Sequence, residues 1–302
     1  MKNRWICTII LTIILTIQVP ITQTQIQPSI SLQGYTWDHT TITILIVPQN
    51  KQSWWNPSYL NATIRAINMW NNAILNFSSS YSSQFFYLSQ IRMVYSISQK
   101  FEPGFDIYIT WQEEYAGTNT LGTSQPFIQL PCTIINNTII LGTKTKMYVL
   151  NEVDMQNIVL HELGHALGLG HSNYANDIMY PKYSPKGNVI ALSTLDLYGL
   201  SVVFEWLSFY PQMPSICPSK TSLVLPSYIQ YEYLPISYKD LPPQTFSLYN
   251  TFLNSILKIL ISPYVIFSLL LLTVLLVVLA IFIRKITGNQ IVLKDDNPIL
   301  SR

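Results

Sequence analysis

The stretch NIVLHELGHALGLGHSNYANDIMYP, Asn157 to Pro181, holds three of the chain's four histidines. His161, His165 and His171 fall within eleven consecutive residues. On a helix, residues four apart project from one face, one turn apart, so His161 and His165 can grip one ion. Gly168 can take positive φ and end that helix. The chain can then turn back and bring up His171 as a third ligand. Three neutral imidazoles leave one position of a tetrahedral zinc open, which is the pattern of a catalytic site rather than a structural one. Glu162, beside the first ligand, can reach a water there, take its proton and pass it to a leaving amine. The competing reading is a buried helix whose histidines are satisfied by backbone carbonyls. The full HExxHxxGxxH spacing disfavours it.

Outward from this stretch, Asn151 with Asp154 three residues on is patterned as a capping box, so the histidine helix is expected to begin there. Downstream, Ser193 in LSTLDLYGL is placed to cap a last helix. Upstream, Thr41 to Val47 (TITILIV) is patterned as a strand. Asn56 can cap the next helix, with Pro57 at its first position. Leu60, Ile64, Ile67, Trp70 and Ile74 recur there at helical spacing. Ile91–Ser98, Phe105–Trp111, Asn137–Thr143 and the shorter Met147–Leu150 complete the expected strands. Strand, helix, strands, helix, loop and helix in that order give the α+β class.

Composition sets the compartment. Of 302 residues, 49% are hydrophobic and only 11% charged, against about 25% in an ordinary soluble domain. The net charge of +2, with no basic cluster in the folded part, excludes nucleic acid as a partner. Lys2 and Arg4 precede the apolar run Trp5–Ile17, which is patterned as a signal peptide over residues 1–24, with an uncleaved anchor as the alternative. From Ile259 to Ile283 no residue is charged, and Lys258, Arg284 and Lys285 flank the run. That length meets the ~20 residues a membrane helix needs. Basic residues beside both apolar segments place those ends inside the cell and the middle of the chain outside. The expected organisation is therefore a catalytic domain over 25–209, a Pro-, Tyr- and Ser-rich stalk over 210–258, a transmembrane helix over 259–283 and a cytoplasmic tail over 284–302. The localisation it implies is the cell membrane, single-pass, with the membrane as a partner through the C-terminal helix. Cys7 leaves with the signal, and Cys132 and Cys217 remain. Two accounts stay open for them: a disulfide in an oxidising compartment, or Cys217 reaching the metal as a thiolate.

HELGHALGLGHS, with DIMYP a few residues later, resembles the metzincin zinc endopeptidases and, within them, the matrixins (matrix metalloproteinase-like, family M10). The resemblance covers about Tyr35 to Phe209. It implies a metzincin catalytic domain, a mixed twisted sheet with three helices, that hydrolyses peptide bonds in protein or peptide substrates. It implies His161, His165 and His171 as ligands of one catalytic Zn2+ and Glu162 as the catalytic base. It implies Met179 as the Met-turn residue beneath the metal, and Pro181 and Tyr183 in the outer wall of the substrate pocket. Ala116–Phe127 falls where the family's upper cleft rim lies. Two features depart from the family. No PRCGxPD-like latch precedes the catalytic part, so an enzyme active as made is expected. Only His39 is left for a second, structural zinc, so an ordinary packing or surface role is expected for it. A structural calcium site stays open, since acidic residues are sparse. A non-catalytic cell-surface binding protein on the same scaffold is the alternative, and intact Glu162 argues against it.

Overall fold

The computed structural model describes residues 27–115, 119–184, 187–209, 212, 214, 216–236 and 263–288, with side chains of the last segment described over 271–283. The expected signal peptide with Cys7, the greater part of the expected cytoplasmic tail, and residues 237–258 lie outside them. Strand β1 (Ser29–Leu32) leads to β2 (Thr41–Val47), helix α1 (Ser58–Ser80), β3 (Arg92–Ile97), β4 (Ile107–Gln112), β5 (Gly122–Gln129) and β6 (Thr133–Gly142). Helix α2 (Glu152–Ala166), β7 (Leu169–Ser172), α3 (Thr194–Val203) and β8 (Leu223–Val224) follow, and α4 (Pro263–Gly288) belongs to a separate unit.

Five strands form a sheet in the order β3-β2-β4-β6-β5. The α1 crossover between β2 and β3 makes that pair parallel, as such a connection requires. The β5–β6 hairpin makes the last pair antiparallel. Ile42, Ile44 and Ile46 of β2 are fully buried against the helices, and Leu45 is buried on the other face with Phe105 and Tyr108. The sheet is thus covered on both sides at β2, which explains why TITILIV is apolar towards its end rather than alternating. Helix α1 packs on α2, and Trp70 Nε1 donates to the Leu160 carbonyl at 3.0 Å. Trp37 Nε1 donates to the Ala166 carbonyl at 3.0 Å, satisfying an orphan acceptor at the end of α2. A second sheet, β7-β1-β8, is antiparallel.

The α+β class and the three domain helices agree with the sequence reading. The capping box at Asn151 and Asp154 is formed, as is a second one at Ser193 and Asp196. Other details differ. Asn56 does not cap α1. Pro57 holds the cap position, and Asn56 Oδ1 accepts from Ser58 N at 3.0 Å. Met147–Leu150 forms only an isolated bridge, from Lys144 to Val149. Strands β1, β5, β7 and β8 were not expected. The stalk expected over 210–258 is corrected for its first half. Residues 216–236 lie against the domain: β8 pairs with β1, Ile229 is buried, and Leu234 N donates to the Leu192 carbonyl at 2.8 Å. Of its tyrosines, Tyr231 and Tyr233 hydrogen-bond to the loop after His171, while Tyr228 is exposed.

Among the described residues, no helix is long and apolar enough to cross a membrane. In α4 the described side chains, 271–283, are exposed throughout.

Candidate metal centre

His161 and His165 sit one turn apart on α2, and His171 sits on β7, which returns antiparallel to β1 beside the helix end. Gly168 makes that return, with φ +100°. A Cβ there would meet the Tyr35 carbonyl oxygen at 2.8 Å, so space and backbone conformation both require glycine. The imidazole centroids are 4.6 Å (His161–His165), 4.8 Å (His165–His171) and 5.4 Å (His161–His171) apart. One ligand atom from each histidine lies within 4.8 Å of the others.

Backbone carbonyls fix two of the rings. His161 Nδ1 donates to the Ile178 carbonyl at 2.8 Å, and His165 Nδ1 donates to the Leu169 carbonyl at 2.9 Å. A carbonyl oxygen only accepts, so these bonds leave Nε2 of both rings as the lone-pair atom. The carbonyl partners of the competing reading are therefore present, but they use Nδ1 and leave the other nitrogen for an ion. Burial pushes His161 down to about 4 and His165 down to about 3, and lowers His171 as well. The rings are thus held neutral, as metal ligands must be. The donor set suits zinc.

Glu162 is 5% exposed, and burial pushes its carboxyl up to about 8. Positive charge among the three imidazoles would draw that value back down. Its carboxylate lies over Gly122 at the start of β5, where an added Cβ would stand 2.7 Å from Oε1. Met179 is fully buried under the helix, and a Cβ on Gly164 would meet its sulfur at 2.3 Å. The glycine within HELGH is therefore the seat of Met179.

Pro181 is exposed, and Tyr183 is half-buried on the same side of the cleft. Tyr183 OH donates to Asp154 Oδ1 at 2.7 Å and accepts from Asn157 Nδ2 at 3.2 Å. Burial raises the Tyr183 hydroxyl; the bond from Asn157 opposes the shift, and Asp154 adds to it. Asn157 also takes Ile190 N on Oδ1 at 2.8 Å and gives to the Asn188 carbonyl at 3.1 Å. The helix that carries the histidines therefore also carries the wall of the cleft. The cleft has a volume of about 1050 Å3 and is lined by Leu121–Ser124, Pro181–Ser184, the three histidines and Glu162.

His39 lies elsewhere. Its ring bridges Asp38 Oδ1 (2.6 Å) and Asp106 Oδ2 (3.2 Å) and packs edge-on against Trp37. Among the described residues, His161, His165 and His171 form the one group of His, Cys, Asp or Glu that could hold a metal ion. Cys132 and Cys217 form a disulfide with Cα atoms 5.6 Å apart, so of the two open accounts the covalent staple holds and the thiolate ligand does not. Sequence reasoning missed Gly122, Asp177 and Tyr231. A glycine opening a polar stretch, an aspartate two before a methionine and a tyrosine in a proline-rich segment carry no periodic signal.

The matrixin family model (Peptidase_M10) matches residues 36–205, more than half of the chain. Similar curated proteins include Metalloendoproteinase 1 of Glycine max, 36% identical over 63 residues, which are 21% of this chain and 21% of that protein. Metalloendoproteinase 4-MMP of Arabidopsis thaliana is 36% identical over 52 residues, 17% of this chain and 15% of its own. Interstitial collagenase of Bos taurus is 34% identical over 74 residues, 23% of this chain and 16% of its own. The matches thus span about a fifth or less of the relatives' length. With the family match extending across the five-stranded sheet, the three long domain helices and β7, and the histidine centre assembled where its motif predicts, the chain belongs to the matrixin family.

Proposed function

We propose that the chain is a zinc-dependent endopeptidase acting outside the cell on protein or peptide substrates. The observation that carries this reading is the convergence of three neutral imidazoles and a buried carboxylate in the lining of an open cleft. The metalloendoproteinase and collagenase relatives support it. His161, His165 and His171 would hold the ion through the nitrogens that the carbonyl bonds leave free. Zinc so held would polarise a peptide carbonyl and make a nearby water acidic. Glu162 accepts the proton of the attacking water and returns it to the leaving nitrogen. β5 is the edge of its sheet and borders the cleft, so its backbone groups can pair with an extended peptide and hold it in the cleft. Met179 supports the helix beneath the ligands, and Tyr183 with Pro181 bounds the pocket for one substrate side chain.

The test uses zinc content together with digestion of an unstructured protein whose product ends are mapped. His161→Ala is expected to lose zinc. Glu162→Gln is expected to keep zinc and lose nearly all turnover. Internal cleavage by the native protein identifies an endopeptidase, removal of terminal residues an exopeptidase, and zinc without cleavage a binding protein. Comparable turnover in Glu162→Gln overturns the assigned base.

The same reading includes membrane attachment through the uncharged run Ile259–Ile283, supported by its length and by the basic residues that flank it. A chain stopped near Leu257 is expected in the soluble fraction with its activity intact. Retention of that chain in membranes would make the N-terminal segment the anchor instead.

A further inference from the structure

The family match ends at residue 205, yet residues 216–236 fold back onto the metal-binding side of the domain. Their attachment is extensive. Cys217 is bonded to Cys132. β8 pairs with β1, and β1 pairs with β7, the strand that carries His171. Thr194 N donates to the Glu232 carbonyl at 2.9 Å, and Thr194 Oγ1 to the Gln230 carbonyl at 2.7 Å.

Two tyrosines of the segment reach the loop that follows His171. Tyr233 OH donates to the Asn176 carbonyl at 3.0 Å. Tyr231 OH donates to Asp177 Oδ2 at 3.2 Å, and its ring stands edge-on to Tyr174 at 4.9 Å. Asp177 is 2% exposed; its other oxygen accepts from Met179 N at 3.0 Å, and Oδ2 also accepts from Ser193 Oγ at 2.7 Å. Between Asp177 and Met179 stands Ile178, whose carbonyl receives His161 Nδ1. A continuous path therefore runs from Tyr231 through the Asp177 carboxylate and the Ile178 backbone to a metal-binding ring. A buried carboxylate needs donors to stay where it is. Without the Tyr231 hydroxyl, Asp177 keeps one fewer, and the backbone that orients His161 loses its brace.

We propose that residues 216–236 are a strap that holds the metal-binding loop, and that Tyr231 is a positioning residue for His161. The inference rests on the zinc reading above. Groups that orient a ligating imidazole typically change metal affinity 10- to 100-fold when removed.

The experiment measures zinc affinity by chelator competition, and the absorption spectrum of the cobalt(II)-substituted protein, on the full chain. Tyr231→Phe keeps the ring and removes the hydroxyl. It is expected to weaken zinc binding by about 10- to 100-fold and to alter the cobalt spectrum, with the melting temperature of the metal-free protein nearly unchanged. Tyr233→Phe, which loses the bond to Asn176 and the hydrogen bond shared with Tyr231, is expected to weaken zinc several-fold, and it decides the matter should Tyr231→Phe fold poorly. Exposed Tyr228→Phe in the same segment is the control and is expected to match the native protein. Native-like affinity and spectrum in both Tyr231→Phe and Tyr233→Phe overturn the strap. Failure of the native chain to bind zinc stoichiometrically overturns the zinc reading itself, which is a separate result.

Discussion

At the scale of single residues, the site depends on absent atoms as much as on present ones. Gly122 leaves the space that the Glu162 carboxylate fills, and an alanine Cβ would stand 2.7 Å from Oε1 and 2.8 Å from Cγ. Gly122→Ala must push Glu162 aside. Misplacing a catalytic group by about 1 Å can cost about 100-fold, so kcat should fall by about that factor while zinc content holds. Unchanged turnover would show that Glu162 tolerates displacement. Gly164→Ala meets the Met179 sulfur at 2.3 Å and Trp70 at 3.3 Å. Overpacking of this kind costs about 1–3 kcal/mol, and a thermal melt should show the loss. His39 supplies a pH signature. Burial lowers its pKa, but the bonds to Asp106 and Asp38 prevail and raise it to about 9. The folded state therefore binds the proton more tightly than the unfolded chain does. The stability from His39 is complete below about pH 6.5 and is lost as pH rises through about 9. The melting temperature of the native protein should exceed that of His39→Gln most at pH 6, with the gap closing by pH 9.5. A gap independent of pH would show that His39 acts through packing alone.

At the scale of elements, the histidine helix is organised from its first turn. Asp154 closes the capping box on Asn151, and its carboxylate also accepts the Tyr148 hydroxyl at 2.6 Å and the Tyr183 hydroxyl at 2.7 Å. One residue thus starts the helix and ties down the pocket wall. Asn151→Ala removes the cap and an exposed bond to the Tyr148 hydroxyl but leaves the pocket wall, and should cost about 1 kcal/mol, a fall of about 2–4 °C in melting temperature. Asp154→Ala removes cap and wall together, so it should lose more stability than Asn151→Ala and also change the preference among substrate side chains. Equal effects of the two on stability and specificity would make Asp154 only a cap. Asn71 plays a comparable part at the sheet edge. Its amide exchanges two hydrogen bonds of 2.9 Å with the backbone of Met93, as a neighbouring strand would, and so joins α1 to β3.

At the scale of the whole molecule, the disulfide closes a loop between residues 85 apart in sequence and tethers the strap to the β5–β6 hairpin. Loop closure of this size, by a native bridge, contributes about 2–5 kcal/mol, chiefly by restricting the unfolded chain. Cys132→Ser with Cys217→Ser should therefore lower the melting temperature by several degrees, and it should not raise activity. A gain of activity would show that the strap restrains catalysis instead of supporting it.

What the residues determined by themselves is what local physics encodes. The spacing of four between His161 and His165 sets two rings on one helix face, Asn151 and Asp154 mark where that helix starts, and Gly168 marks where it turns, whereas the pairing of Cys132 with Cys217 stayed open until the fold brought them together. Each of these helix marks is decided within a few residues of sequence. Tertiary structure alone decided the rest. GTSQPFIQ lacks the alternation that marks a strand, and it becomes β5 because β6 offers it a paired edge. The segment after 209 reads as a stalk because it is rich in proline, tyrosine and serine with few periodic apolar positions, and its placement comes from Tyr231, Tyr233 and Leu234 meeting loop residues 42 to 57 positions away. The neighbours of Glu162 and Asp177 were likewise hidden. A hydrogen bond or a close approach between distant residues leaves no period in the chain, and it exists only once the sheet and helices have brought its two halves together.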